Sequence, residues 1–194
     1  MNLFADLLAS TQTPSATSTG PRIQKRRGVE IKSAREIKIM REASRIVATV
    51  LREVMAMVEP GQTTGELDAF AEKRIREMGA TPSFKGYHGF PASICASINN
   101  EVVHGIPNAK RVIHKGDLLK VDTGAYFEGY HGDSCITVCV GDSSAEAQTL
   151  SRVAQESLMA GLNQVKAGNT LLDIAGAVED HVKANGFSVV EDYT

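Results

Sequence analysis

Residues 101–141 read EVVHGIPNAKRVIHKGDLLKVDTGAYFEGYHGDSCITVCVG and contain the most informative structural signals of the chain. Its second half holds two β-type runs on either side of a Glu-Gly dipeptide at 128–129, which suits a two-residue turn. The pattern predicts a β-hairpin in which Gly124 faces Asp133. In that register Asp122 lies diagonal to Asp133 on the same face of the sheet, at a Cβ separation of roughly 7–8 Å or less.

The paired carboxylates of Asp122 and Asp133 are the first candidate for chemistry. Two carboxylates that point together from a half-buried face repel each other unless a positive charge lies between them. A pair of divalent cations, roughly 3.5–4 Å apart, would supply that charge. The spacing also allows one Asp in a turn and the other in solvent. The surrounding apolar strands, interrupted by glycine, favour the metal.

A histidine, His104, lies upstream in the loop-like sequence VVHGIP. A histidine at such a place is either a surface or packing residue, or a neutral imidazole that hydrogen-bonds a substrate. The sequence leaves both roles open.

The residues before the hairpin predict its scaffold. An S-x-x-E sequence at Ser33 and a T-x-x-E sequence at Thr63 are capping boxes that each start a helix. The first helix ends at Pro-Gly of residues 60–61, and Gly79 closes the second. The Gly-, Pro- and Ser-rich residues 81–107 predict two short strands joined by loops.

The residues after the hairpin repeat the helical part of this scaffold. The turn VEPGQTTGELD around Gly61 is answered by VKAGNTLLDIA around Gly168, and Gly79 is answered by Gly186, an offset of about 107 residues. The second copy contains two helices and no sheet. We therefore expect this chain to be the N-terminal part of a longer protein, whose second sheet follows Thr194.

This organisation predicts a flexible extension over residues 1–32 and one α+β domain over residues 33–194. Within the domain, the first repeat covers about residues 33–142 and the partial second repeat about residues 143–194. The extension is rich in Ser, Thr and Pro and carries too little apolar surface to offset the entropy of ordering it.

Composition excludes several function classes. The 194-residue chain has a formal net charge of −2 and 5% aromatic residues with no Trp, so nothing favours nucleic acid or an anionic membrane surface. Three cysteines without a CxxC pair fit a reducing compartment. No apolar run approaches the roughly 18 residues of a membrane span. We expect a cytoplasmic protein.

The sequences GYHGFPASICASIN, EVVHGIP and KVDTGAYFEGYHGDS resemble those of type I methionine aminopeptidases, which belong to the pita-bread fold family. The resemblance covers about residues 33–194. It implies a pita-bread fold, in which a pseudo-two-fold repeat places helices on a curved antiparallel sheet, with the second repeat incomplete in this chain.

The resemblance also implies a function. The family removes the N-terminal methionine from nascent proteins with a small second residue, by peptide hydrolysis assisted by two divalent metal ions. It implies that Asp122 chelates one metal ion, that Asp133 bridges both, and that His104 is a catalytic residue that contacts the substrate. Four further residues resemble the pocket for the methionine side chain: Phe84, Tyr87, Phe90 and Cys95.

Neither the metal nor the assembly can be read from the residues. A site of this type accepts Co, Mn, Fe or Zn. The family resemblance implies nascent polypeptides as partners, with the ribosome nearby, and a monomer when the protein is full length.

The family site has five metal ligands, of which a His and two Glu come from the second half, expected after Thr194. We therefore expect this chain alone neither to hold two metal ions tightly nor to turn over. We also expect the missing half to leave one face of the sheet and helices exposed, which would make the chain prone to aggregation. Three alternatives stay open: an aminopeptidase P or prolidase-type hydrolase, a non-catalytic pita-bread binding module, and a truncated product without activity.

Overall fold

A computed structural model of the protein describes residues 30–191. The chain divides into residues 1–33, of which only 30–33 are described and form neither helix nor strand, and residues 34–194. The predicted extension therefore lies almost entirely outside the described residues, and its boundary stays a prediction. The described elements are α1 (Ala34–Met57), α2 (Thr64–Glu77), β1 (Thr81–Pro82), a 3-10 turn (Tyr87–Gly89), β2 (Ile94–Ile98), β3 (Leu118–Phe127), β4 (Tyr130–Cys139), α3 (Ala145–Leu162) and α4 (Leu171–Ala184).

Both predicted helices of the first repeat are present. Helix α1 has its buried residues at three- and four-residue spacing, which places them on one face of the helix: Ala43, Ile46, Val47, Val50, Leu51 and Val54. Helix α2 begins with the predicted capping box. The Thr63 N–H donates to Glu66 Oε2 at 2.7 Å, and the Glu66 N–H donates to Thr63 Oγ1 at 3.2 Å.

The sheet is antiparallel and centred on β3. Strand β4 pairs with one edge of β3 along the whole length of β3. Strands β1 and β2 pair with the other edge of β3. The predicted hairpin is confirmed: Gly124 faces Asp133, and the turn residues Glu128 and Gly129 have φ of 45° and 94°. Positive φ at both positions is the geometry of a tight two-residue turn.

One face of this sheet packs on α1. Val121 of β3 and its partner Ile136 of β4 are buried on that face. At Gly132, a Cβ atom would lie 2.5 Å from the backbone carbon of Ala43, so only glycine allows α1 to approach β4 this closely. Because side chains alternate along a strand, Asp122 and Asp133 point away from α1, to the opposite face.

The second repeat reproduces the geometry of the first helix pair. Helices α2 and α4 have the same length, 14 residues each. The glycines before them, Gly61 and Gly168, have φ of 96° and 98°, and those after them, Gly79 and Gly186, have φ of 78° and 79°. The Thr170 N–H donates to Asp173 Oδ2 at 2.6 Å, as in the first capping box.

The two helix pairs differ in what they pack against. Helices α1 and α2 contact strands of the sheet, whereas α3 and α4 contact mainly each other. Several large apolar side chains of the second pair and its connecting loop are exposed: Leu150, Leu158, Leu162, Val165, Leu171 and Leu172. Among residues 30–191, no helix is long and apolar enough to cross a membrane.

Candidate active site

The centre of the site is a row of side chains across three strands. Cys95 of β2 is the partner of Asp122 on β3, and Asp122 is in turn the partner of Cys135 on β4. Asp133 lies two residues before Cys135 and thus shares its face. The sheet register alone brings two carboxylates and two thiols together on the face opposite α1.

The carboxyl group of Asp122 is perturbed by this arrangement. Its pKa is raised to about 6, first by burial, then by the negative charge of Asp133 and a hydrogen bond to that side chain. The proximity of His104 acts in the opposite direction and lowers the pKa of Asp122. A carboxylate that is half-buried beside a second carboxylate is an electrostatically costly arrangement, which a bound cation relieves.

The same surroundings raise the pKa values of the two flanking thiols, Cys95 and Cys135. Burial, together with the charges of Asp122 and Asp133, raises the pKa of Cys95 to about 11 and that of Cys135 to about 12. Both thiols are therefore protonated near neutral pH, and only the thiolate is a good nucleophile. Cys95 thus acts as a small apolar wall of the site.

A cavity of about 520 Å³ opens above the carboxylates. It brings together all seven of the residues that the sequence singled out, although they come from five separate parts of the chain: the aromatic loop, β2, the His104 loop, β3 and β4. The lining residues are Phe84, Tyr87, His88, Gly89, Phe90, Pro91, Cys95, His104, Ile106, Asp122 and Asp133. The sequence predicted seven of these eleven lining residues. The other four are His88, Gly89, Pro91 and Ile106.

The absence of a side chain at Gly124 of β3 allows the aromatic wall of the cavity to pack against this strand. A Cβ atom at Gly124 would come within 2.9 Å of the Ser83 Cβ and 3.0 Å of Phe84 Cε1. Phe84 and Phe90 then pack edge to face, with ring centroids 6.5 Å apart. Two aromatic rings beside a buried thiol form an apolar slot that suits an unbranched thioether side chain.

Strand β2 is fixed at its start by a carboxylate from α2. Asp68 Oδ1 accepts hydrogen bonds from the N–H groups of Ser93, at 2.8 Å, and Ile94, at 3.0 Å. These bonds precede Cys95 and so determine its position in the cavity wall. Burial raises the pKa of Asp68, and the two backbone hydrogen bonds oppose that effect.

The remaining histidines of this region have different positions. His88 lines the cavity, in the 3-10 turn, and its ring packs against Tyr87 with centroids 4.3 Å apart. His131 instead pairs with a side chain outside the cavity lining, as its Nδ1 lies 2.8 Å from Ser83 Oγ. Ile106 was missed because a lone apolar residue between Gly and Pro carries no periodic signal.

The two aspartates supply only some of the ligands that a metal site needs. Asp122 and Asp133 are hard oxygen ligands that fit a divalent cation, and the raised pKa of Asp122 is the cost that such a cation removes. Within residues 30–191, no group of three or more His, Cys, Asp or Glu side chains is arranged to hold a metal ion. Further ligands are needed to complete the coordination.

Comparison with known proteins bears on this arrangement. The profile of metallopeptidase family M24 matches residues 38–194. The chain belongs to this family. Among curated relatives, a methionine aminopeptidase of Clostridium acetobutylicum is 47% identical over 163 residues, which cover 84% of this chain and 65% of that protein. The chain thus spans about 65% of the length of this relative.

Solved structures agree with the family assignment and with the pita-bread α+β fold. A crystal structure of methionine aminopeptidase from Thermotoga maritima superposes with a TM-score of 0.81 at 34% identity, covering 84% of this chain and 65% of that one. A Xaa-Pro dipeptidase from Bacillus anthracis is less similar, with a TM-score of 0.71 at 29% identity and 42% of its chain covered.

Proposed function

We propose that this chain carries the first half of the active site of a methionyl aminopeptidase, which removes the N-terminal methionine from proteins with a small second residue. The observation that carries the proposal is the meeting of Asp122 and Asp133 with an apolar aromatic slot in one cavity. The greater similarity to methionine aminopeptidases than to the Xaa-Pro dipeptidase supports this substrate class.

In this proposal each lining group has a distinct task. Asp122 and Asp133 would each supply a carboxylate ligand to a pair of divalent ions. A divalent pair at these carboxylates would act as a Lewis acid on the scissile carbonyl and would stabilise the negative charge that develops there. His104, at the rim of the same cavity, hydrogen-bonds the substrate near the scissile peptide.

The slot selects the first residue of the substrate. Phe84, Phe90 and Cys95 present apolar surface to the methionine side chain, and Tyr87, with 69% of its surface exposed, lines the same cavity. Burial of an unbranched thioether here contributes on the order of 1.5–3 kcal/mol of binding free energy. The two Asp side chains line the same cavity, so the scissile bond of a bound Met residue would lie beside the carboxylates that would hold the metal ions.

Two carboxylates are too few for a tightly bound metal pair, so we expect this chain alone to lack activity. The coverage of about 65% of the C. acetobutylicum relative supports the expectation that the remaining ligands, a His and two Glu, come from a second half. Calorimetric titration of this chain with Mn²⁺ or Co²⁺ tests this directly. Micromolar binding of two ions would contradict it.

The activity itself is tested with a chimera of this chain and the remaining C-terminal third of the C. acetobutylicum relative. We expect the chimera to cleave Met-Ala-Ser and to leave Ala-Pro peptides intact, and we expect Asp122→Asn and Asp133→Asn to abolish cleavage. A folded chimera that binds two Mn²⁺ ions but cleaves Ala-Pro instead would favour the prolidase-type alternative. A folded chimera that binds metal and cleaves neither peptide would favour a binding module.

A further inference from the structure

The backbone conformation of His104 is unfavourable for a residue other than glycine, so other parts of the protein must stabilise it. Its φ is 55°, in the left-handed region, where residues other than glycine are uncommon and strained. Its side chain is exposed at the cavity rim, so burial of the ring does not compensate for the strain. The neighbouring residues must therefore hold it in place.

The adjacent residue, Gly105, is buried and bound to β2 through both of its peptide groups. The Ala96 N–H donates to the Gly105 carbonyl oxygen at 2.8 Å. The Gly105 N–H donates to Ser97 Oγ at 3.0 Å. The second bond involves the peptide group that joins His104 to Gly105, so it fixes the orientation of His104 directly.

Ser97 is well placed for this task. It is 3% exposed, and it lies two residues after Cys95 on the same face of β2, toward the site. Its hydroxyl lies inside the protein, so a water molecule does not readily replace it as the hydrogen-bond acceptor for the Gly105 N–H. A buried N–H that loses its acceptor has no easy replacement.

The close packing at Gly105 leaves no room for another arrangement. A Cβ atom at this position would lie 2.4 Å from the carbonyl oxygen of Ala96 and 2.8 Å from the Cα of Ser97. The loop backbone therefore lies directly on β2. Small movements at Ser97 are transmitted to His104 without an intervening side chain that could absorb them.

We infer that Ser97 is a positioning residue, whose buried hydroxyl holds the His104–Gly105 peptide and so keeps His104 at the cavity. The inference deepens the proposed function, since it rests on His104 contacting the substrate there. A purely structural serine would contribute to stability alone, and its loss would leave the position of His104 and the chemical step unchanged.

The test compares Ser97→Ala with Ser157→Ala in this chain. Ser157 is the matched control because it is 6% exposed and its hydroxyl donates to the Ala154 carbonyl oxygen within α3, away from the cavity. By NMR, we expect Ser97→Ala to speed exchange of the Gly105 amide about tenfold and to shift the backbone resonances of His104. Ser157→Ala should change neither.

The same variants in the chimera give a second readout. For Met-Ala-Ser cleavage, we expect Ser97→Ala to lower kcat about tenfold with KM changed by less than about twofold, because a misplaced catalytic group affects the chemical step. Ser97→Thr, which keeps the hydroxyl, should restore kcat. Ser157→Ala should leave both constants unchanged.

The outcomes separate this inference from the proposed function. Unchanged Gly105 exchange and unchanged His104 resonances in Ser97→Ala would overturn the positioning role, whether or not the chimera is active. A displaced His104 with full kcat in Ser97→Ala would support the positioning role and would count against the contact of His104 with the substrate in the proposed function. A chimera that is inactive with all its own residues intact would count against the proposed function only, since the NMR readout needs no turnover.

Discussion

The two helix pairs of this chain have nearly the same internal geometry and different surroundings. Helices α1 and α2 pack on the sheet that carries the candidate site, and six α1 residues are buried. Helices α3 and α4 contact mainly each other, and α4 has a single buried residue, Val182. Caps, turns and helix lengths are therefore local properties, whereas the burial of a helix depends on the other elements that it packs against.

The largest difference between the pairs should be seen on truncation of a leucine. Leu51 of α1 is fully buried, so Leu51→Ala should lower the free energy of unfolding by about 2–5 kcal/mol through lost contacts and a cavity. Leu158 of α3 is 58% exposed, and Leu158→Ala should cost less than about 0.5 kcal/mol. Urea denaturation followed by circular dichroism measures both; equal losses would show that α3 is packed as well as α1.

A smaller, pH-dependent difference should come from the site on the sheet. The pKa of Asp122 is raised from 3.8 to about 6, so the folded chain binds this proton more tightly than the unfolded chain. The free energy of unfolding therefore falls as the pH rises through this interval, and the penalty is complete above about pH 6. With EDTA present, Asp122→Asn should stabilise the chain at pH 7 by roughly 1–2 kcal/mol after allowance for solvent screening.

The control for this measurement lies on the second helix pair. Asp180 of α4 is exposed, and Asp180→Asn should change the free energy of unfolding by less than about 0.5 kcal/mol at any pH. Below about pH 4, Asp122→Asn should match the unsubstituted chain, because the native carboxyl is then protonated as well. A stabilisation that persists unchanged at low pH would contradict the electrostatic explanation.

Substitution of the exposed leucines of α4 should have the smallest effect on stability. It should nevertheless change how strongly the chain associates. Leu171 and Leu172 are each 82% exposed, at the first turn of the helix. The double substitution Leu171→Glu with Leu172→Glu should reduce light scattering at high protein concentration, while the free energy of unfolding changes by less than about 0.5 kcal/mol. Acidic residues at a helix N-terminus also interact favourably with the helix dipole.

A matched substitution on the first pair identifies the surface responsible. Ile37 of α1 is 47% exposed, and Ile37→Glu should leave the scattering unchanged because its neighbours on the first pair pack against the sheet. If both variants reduced scattering equally, the exposed leucines of the second pair would not be the surface through which the chain associates.

Much of the fold could be predicted because its signals are local. The hairpin register follows from a two-residue turn and the period-two alternation of strands, and the structure confirms it at Gly124 and Asp133. The capping box at Thr63 is confirmed in the same way. The division into a flexible extension and one domain, and the roles assigned to the individual site residues, stay predictions.

Which carboxylates share a face of the sheet could be predicted from sequence, because the register of a tight hairpin depends on neighbouring residues alone. The meeting of the aromatic loop, β2 and the His104 loop above those carboxylates, together with Ile106, became visible in the three-dimensional structure. The tertiary structure also decided the raised pKa of Asp122 and the buried bond from Gly105 to Ser97. The physical reason is that burial and cavity shape are properties of segments far apart in the chain, which no local pattern encodes.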